Sequence, residues 1–400
     1  MRILVIRSHR LGDLVQITPL LGALRRHHRG AAIHLLVEEG FARVLADHPW
    51  IDQIHRFPKA KILAQYGNSP GSISRQVEAL GPLIRRLKAK RFDWIINRQA
   101  SAIEAVIAGL CGAPRISGPH YDPALDEIVQ DDASRAYAET IRTSRRAGAI
   151  NLVDHSFHVS GLPIENDRLH LPVDRASRDR AVQILEHAAL DPDRILIGIQ
   201  SGASSRLRRG NPEQMLRISE PLLRDRRVYL MVLGTQSEKQ VGDALIAGLE
   251  DPTRVIRLEG KTPWPLLKAL LAQCDLLITP DTGPMHVAAA VGTRVVALFW
   301  TTAHAEETGP YGPGHFLLQP QIPCSPCLPN KPCPHTVCAS LIQPGHVVRA
   351  VCLSLALAGT ALNIPSAPLE AEDESLPGSV RYRTTGEEPW SGPLTLKPVA

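Results

Sequence analysis

The 400-residue chain contains no apolar run long enough to span a membrane, which argues against membrane-spanning helices. Cysteine is sparse, and seven in a chain of this size do not make a disulfide scaffold. Charge of one sign is also scarce. A net charge of +5 is too small to point to nucleic acid as the main partner. No Gly-x-Gly-x-x-Gly follows the first apolar stretch, which argues against a nicotinamide enzyme. Gly260-Lys261-Thr262 resembles the end of a P-loop, but Val255 stands where its first glycine belongs. The opening residues 1–6 read as a strand whose apolar run is too short for a signal peptide, so a cytosolic protein is expected.

What is present is apolar content of 44%, enough for two or three domains with real cores. From residue 3 onward the chain alternates short apolar runs with helical spacing, which predicts α/β architecture. Strands are expected over 3–6, 33–37, 51–54, 94–96 and 115–117. Residues 58–73 read as a mobile loop and 75–90 as one basic helix. Residues 119–175 look like an elaborated loop region and linker. A second alternating series places strands over 195–199, 228–233, 255–258, 276–278 and 295–298. Asn211 and Pro212 mark a well-formed helix start. The expected organisation is two doubly wound domains, 1–175 and 176–345, a helix over 346–362 and a disordered tail over 363–400.

One stretch concentrates chemistry. Residues 276–278 form a buried run, followed by Asp281-Thr282-Gly283-Pro284-Met285-His286 and a small-residue helix that Gly292 ends. In open α/β sheets ligands bind at such a strand-to-helix edge, and the free N–H groups of the helix start can hold a phosphate. The competing reading is an ordinary capped core helix with His286 as a core histidine. Ser201-Gly202-Ala203-Ser204, with Arg206, Arg208 and Arg209 just beyond, combines hydroxyls and guanidiniums before a helix start, which suits a diphosphate. Asp13 offers a carboxylate at the matching edge of the first half, either as helix cap or as general base. Gly12 beside it permits a tight turn. Asp191-Pro192-Asp193 reads as a turn. Cys324, Cys327, Cys333 and Cys338 lie in a Pro-rich loop with His335. Their spacing suggests a structural zinc or an iron–sulfur centre, against free thiols or a facultative disulfide. Basic runs at 25–29, 85–91 and 142–146 read as solvated faces that would favour an anionic acceptor or membrane surface.

Taken together, Arg7 with Leu11-Gly12-Asp13, the Ser201–Ser204 segment, the Asp281–His286 run and Thr308-Gly309-Pro310-Tyr311-Gly312 resemble glycosyltransferase family 9, the ADP-heptose:lipopolysaccharide heptosyltransferases. The resemblance covers about residues 1–360. It implies a GT-B fold, two Rossmann-like domains facing across a cleft, with the acceptor on the first and a nucleotide sugar on the second. It implies inverting transfer of heptose from ADP-heptose to a lipopolysaccharide core hydroxyl, with no cofactor required. Asp13 would be the base, with Arg10 and Gly12 near the acceptor. Ser201, Ser204, Arg209, Asp281, Thr282, Gly283 and His286 would hold the donor. Two departures stand out. Arg209-Gly210-Asn211-Pro212 replaces a Lys-Arg-Trp-Pro pattern, and Trp300 takes a glycine position. A different sugar donor or surface-glycan acceptor on the same scaffold, or a non-catalytic nucleotide-binding GT-B protein, are the alternatives. The expected site of action is cytoplasmic, in peripheral contact with the inner membrane surface.

Overall fold

The computed structural model describes residues 1–8, 10–67, 72–143, 150–165, 167–200, 202–203, 208–300, 303–327, 333, 337–364 and 380–385. Two main sheets carry the fold. In the first, β3 (Gln53–Phe57), β2 (Ala32–Glu38), β1 (Arg2–Ile6), β4 (Trp94–Asn97) and β5 (Arg115–Ser117) lie side by side, all parallel. A small antiparallel hairpin, β6 (His120–Asp122) and β7 (Glu127–Val129), follows. The second sheet orders β10 (Val255–Arg257), β9 (Val228–Leu233), β8 (Ile195–Gln200), β11 (Leu276–Pro280), β12 (Arg294–Leu298) and β13 (Phe316–Pro320), parallel throughout, with β14 (Val380–Thr384) antiparallel at its edge.

β1 is an Ile-Leu-Val-Ile run because both faces of a central parallel strand are buried. Ile3 and Val5 face one apolar cluster and Leu4 and Ile6 another. The first cluster continues through Leu14 and Leu21 to Met285 and Leu277, so one core joins the two halves. A third cluster covers the far face of the second sheet, where Val347, Ala350 and Val351 of the Pro344–Ala356 helix pack. Pro19 separates two helices, Leu11–Val15 and Thr18–His27, as its missing N–H requires.

Several elements differ from expectation. The stretch at 58–73 contains the helix Lys59–Tyr66, pinned by Lys59, whose Nζ meets the buried Glu104 carboxylate at 2.7 Å, and a second helix, Ile73–Ala79, begins at its end. The breakers are confined to the few residues between them. The basic helix restarts at Gly81-Pro82, giving Gly81–Lys88 as a separate segment. The region 119–175 holds the hairpin and helices Asp132–Thr143 and Leu152–Ser160, the latter capped by Asn151, whose side chain accepts from Val153 N–H. β14 falls in the stretch expected to be disordered. Its alternating Val-Arg-Tyr-Arg-Thr pattern suits a strand added at an edge.

In each main sheet the strand order reverses direction once, between β1 and β4 in the first and between β8 and β11 in the second. Loops leaving the carboxyl ends of strands at such a reversal diverge and leave a crevice. The loops after β1, β8 and β11 are the three that carry the candidate residues.

Candidate active site

A cleft of ≈ 1070 Å³ lies between the halves, lined by Arg10, Gly12 and Asp13 from one side and by Arg208, Asp281, Thr282, Gly283 and His286 from the other. Eight residues singled out in sequence therefore meet in one place. Ser201 and Ser204 lie outside the described residues.

On the first side the chain leaves β1 at Ile6, and Arg10 turns it with φ 64° and ψ 137°. A non-glycine residue at positive φ is strained, and such strain persists only where the surroundings hold it. Here they do. Ser8 and Ser101 donate to the Glu104 carboxylate, which also takes Lys59. Arg7 donates to Arg98 O, and its Nη2 lies 3.3 Å from Asp13 Oδ1. Arg98 is itself buried, bonded to Ser156 Oγ at 3.1 Å and to His155 Nδ1 at 2.7 Å. Burial and the Arg7 charge draw its guanidinium down to about 9. Asp13 is not the cap of its helix. It sits in the first turn of Leu11–Val15, which Arg10 precedes, so its carboxylate is free of a capping bond and held against Arg7 at the cleft.

On the second side β11 ends at Pro280, and Thr282 caps the Gly283–Ala290 helix without a side-chain bond. Pro284 has no N–H and the Met285 N–H goes to Thr282 O at 3.2 Å, so the Gly283 N–H is what the first turn offers a ligand, together with the positive end of the helix. Arg208 Nη1 reaches Asp281 Oδ2 at 2.7 Å and Asp281 O at 3.2 Å, while its Nε has no partner. Burial pushes the Asp281 carboxyl up, against the pull of Arg208. Arg209, expected to meet the donor phosphate, instead donates from Nε to Ala203 O at 2.9 Å and does not line the cleft. Its neighbour Arg208 lines the cleft. Trp300 is buried in the core behind the second sheet, so this departure from the family pattern does not touch the cleft.

Two glycines let the sides approach. A Cβ on Gly12 would stand 2.6 Å from His286 Cδ2, and one on Gly283 would stand 2.6 Å from Leu11 Cδ2. The demand at Gly12 is therefore close approach, not the turn that its position after a strand implied. His286 is 3% exposed, and burial holds its imidazole down to about 4, so it is neutral at pH 7. Its Nδ1 has no hydrogen-bond partner. Gln16, Arg43, Gln236, Glu238 and Trp264 also line the cleft, and sequence reading passed over them. Only Glu238 left a signal. It stands three residues after Thr235 and accepts from its N–H at 2.8 Å, as in a capping box.

The four cysteines lie near enough for the charges of Cys324, Cys327 and Cys333 to act on Cys338. Cys324, Cys327 and Cys338 form no disulfide, and among the described residues no group of three or more His, Cys, Asp or Glu side chains is placed to hold a metal ion. Cys338 is buried in the core, where burial first and the neighbouring cysteines second push its thiol up to about 11. His335 lies outside the described residues. No helix among the described residues is long and apolar enough to cross a membrane.

Two Rossmann-like domains facing across a cleft, with a carboxylate on one wall and a guanidinium beside an open helix start on the other, define a glycosyltransferase of GT-B architecture. The sequence profile described as glycosyltransferase family 9 (heptosyltransferase) matches residues 81–336, and the chain belongs to that family. It is 25% identical over 342 residues to lipopolysaccharide heptosyltransferase 1 of Pseudomonas aeruginosa, covering 83% of this chain and 87% of the relative. The structure of the E. coli ADP-heptose lipopolysaccharide heptosyltransferase II superposes with a TM-score of 0.65 at 18% identity, covering 90% of this chain and all of that one. An E. coli heptosyltransferase solved with ADP-2-deoxy-2-fluoro heptose superposes with a TM-score of 0.59 at 17% identity, covering 88% and 99%.

Proposed function

We propose that the chain transfers heptose from ADP-heptose to a hydroxyl of a lipopolysaccharide core acceptor, with inversion at the anomeric carbon. The observation that carries the reading is the placement of Asp13 across the cleft from Arg208 and the Gly283–Ala290 helix start. Asp13, anchored by Arg7, takes the proton from the acceptor hydroxyl. That oxygen attacks the sugar from the face opposite the diphosphate. As the bond to the diphosphate breaks, negative charge gathers on the leaving oxygens, where Arg208, the Gly283 N–H and the positive end of the helix meet it. Neutral His286 adds no charge to that wall. Asp281 holds Arg208 in place and is free to take a sugar hydroxyl when the guanidinium turns to phosphate. The guanidinium and helix start carry the diphosphate charge, and the reading calls for no cofactor.

The acceptor would be an anionic glycolipid reached at the inner face of the cytoplasmic membrane, with the enzyme cytoplasmic and peripheral. Support comes from the Gly81–Lys88 helix, whose Arg85, Arg86 and Lys88 are exposed while Leu83, Ile84 and Leu87 pack into the core. The run at 25–29 supports it less, because Arg25 and Arg26 are taken by Asp52, Glu165 and Asp167. Calorimetry with ADP, UDP, GDP, CMP and their sugar conjugates tests the donor. Selective binding of ADP and ADP-heptose is expected. Selective binding of another nucleotide would replace the donor, and tight nucleotide binding without turnover of any sugar conjugate would favour a non-catalytic protein.

A further inference from the structure

A second cavity, of ≈ 740 Å³, opens at the other end of the Gly283–Ala290 helix, where Ala289 to Gly292 line it together with the linker residues Arg168 to Val173. The two spaces share no lining residue; along the helix the cleft ends at His286 and the cavity begins at Ala289, about 4.5 Å of rise further on. Three guanidiniums from separate elements converge on it: Arg168 from the linker, Arg178 from the Arg175–His187 helix and Arg294 from the start of β12. No carboxylate lines it. Arg26, Arg227 and Arg257 are all ion-paired, whereas Arg168, Arg178 and Arg294 have no carboxylate partner among the described residues. Arg294 makes only two contacts at the 3.5 Å limit, to Gly314 O and Leu357 O.

The floor of the cavity supplies the second observation. His315 is 6% exposed, lines the cavity, and its Nδ1 has no partner. Burial and the Arg294 charge keep the ring neutral, down to about 4, so it can donate or accept but does not repel a cation or an anion. The carboxyl ends of two helices also face the cavity, and their partial negative charge works against an anion. That charge is largely answered. Ala288 O accepts from Thr293 N–H at 2.9 Å and Ala290 O from Leu171 N–H at 3.1 Å, and three full positive charges remain. Leu171, Ala272 and Val291 add an apolar wall.

We propose that this cavity is a second anion-binding site, built for a phosphorylated small molecule. Its phosphate meets Arg168, Arg178 and Arg294, its polar body meets His315, and its less polar side lies on Leu171 and Val291. The occupant braces the linker between the two domains, because Leu171 is already tied to Ala290 and Pro172 O to Lys268 Nζ at 2.9 Å. The site is separate from the donor cleft and does not depend on the transfer reading.

The test is calorimetry with two probes, inorganic phosphate and ribose 5-phosphate, on the full chain. The protein is used as purified, after saturation with ADP, and as the Arg208→Ala variant, which disables the cleft. The Arg178→Gln/Arg294→Gln double variant disables the proposed site. The expected result is one equivalent of ribose 5-phosphate bound, more tightly than phosphate. That binding is unchanged by ADP and by Arg208→Ala, and at least tenfold weaker in the double variant. Competition by ADP, loss in Arg208→Ala, or indifference to the double substitution would overturn the site. Equal affinity for the two probes would overturn the organic ligand. If ADP fails to bind, the transfer reading suffers and the two variants still decide this one. An unchanged melting temperature in the double variant, expected because Arg178 is exposed on a helix, shows that the loss is local.

Discussion

The two halves share one architecture but place opposite chemistry at the same topological position. In the first, the loop after β1 carries a carboxylate and is held by a buried network of Arg7, Arg98, Glu104 and Lys59. In the second, the loops after β8 and β11 carry a guanidinium and an open helix start, and their one ion pair among the described residues is Arg208–Asp281. Strand order fixes where a crevice opens, and the side chains at that edge decide whether the wall takes up a proton or receives negative charge. A strained, heavily tied loop suits a base that must not move. A loop tied by one ion pair suits a wall whose guanidinium turns when the donor arrives.

Asp13→Asn should break the comparison most sharply. Turnover is expected to fall by a factor of roughly 10² or more while donor affinity stays level, read as kcat against a calorimetric Kd. Arg208→Ala acts on the other wall. Donor binding should weaken by about tenfold or more and kcat should fall with it, since one charge-assisted contact is lost in both states and Asp281 is left buried without its pair. Arg208→Lys should restore charge but only part of the rate, because a point charge cannot keep both contacts to Asp281.

Acid tests both halves at once. His155 in the first and His286 and His315 in the second are held down to about 3, about 4 and about 4 by burial. With folded values below the ordinary 6.5, the unfolded chain takes up protons first as pH drops. Stability is therefore whole above about pH 6.5 and is lost toward pH 4, by about 1.4 kcal/mol per pH unit for each histidine. Melting temperatures at pH 7, 6 and 5 should fall progressively, and a flat profile would show that these rings are not buried neutral.

Gly12→Ala places a Cβ against the His286 ring and should cost about 1–3 kcal/mol of stability and displace Asp13, read by melting and by a fall in kcat of about tenfold. Arg209→Ala is expected to do least. Its contact is to a loop carbonyl, so donor affinity should change by less than about threefold. An effect of Arg209→Ala larger than that of Arg208→Ala would reverse the assignment of the two arginines.

The sequence was most legible where local and tertiary demands agree. The central strands of both sheets announce themselves because buried parallel strands must be apolar runs, whereas β13 and β14 at the edge of the second sheet were not expected; the Asp281–His286 segment stands out because a strand end, turn residues and a helix start coincide there. The choice between Arg208 and Arg209 was not legible, since both are guanidiniums in one loop and only the path of the backbone decides which reaches Asp281. The role of Gly12 was misread because the surface it must clear, His286, lies far away in sequence. Asp13 reads locally as a cap, and only the strained Arg10 ahead of it moves it into the first turn. Gln16, Arg43 and Trp264 left no sign because each lies on an element read for its core face, and the cleft is made by their other sides.

The central claim is that one wall of the cleft moves the proton and the other holds the donor. The most direct test is ADP-heptose affinity and turnover measured together on Asp13→Asn and Arg208→Ala. The account predicts that Asp13→Asn keeps the donor and loses the rate, and that Arg208→Ala loses both. Weakened donor binding in Asp13→Asn with a proportional loss of rate, or an intact donor affinity in Arg208→Ala, would contradict it.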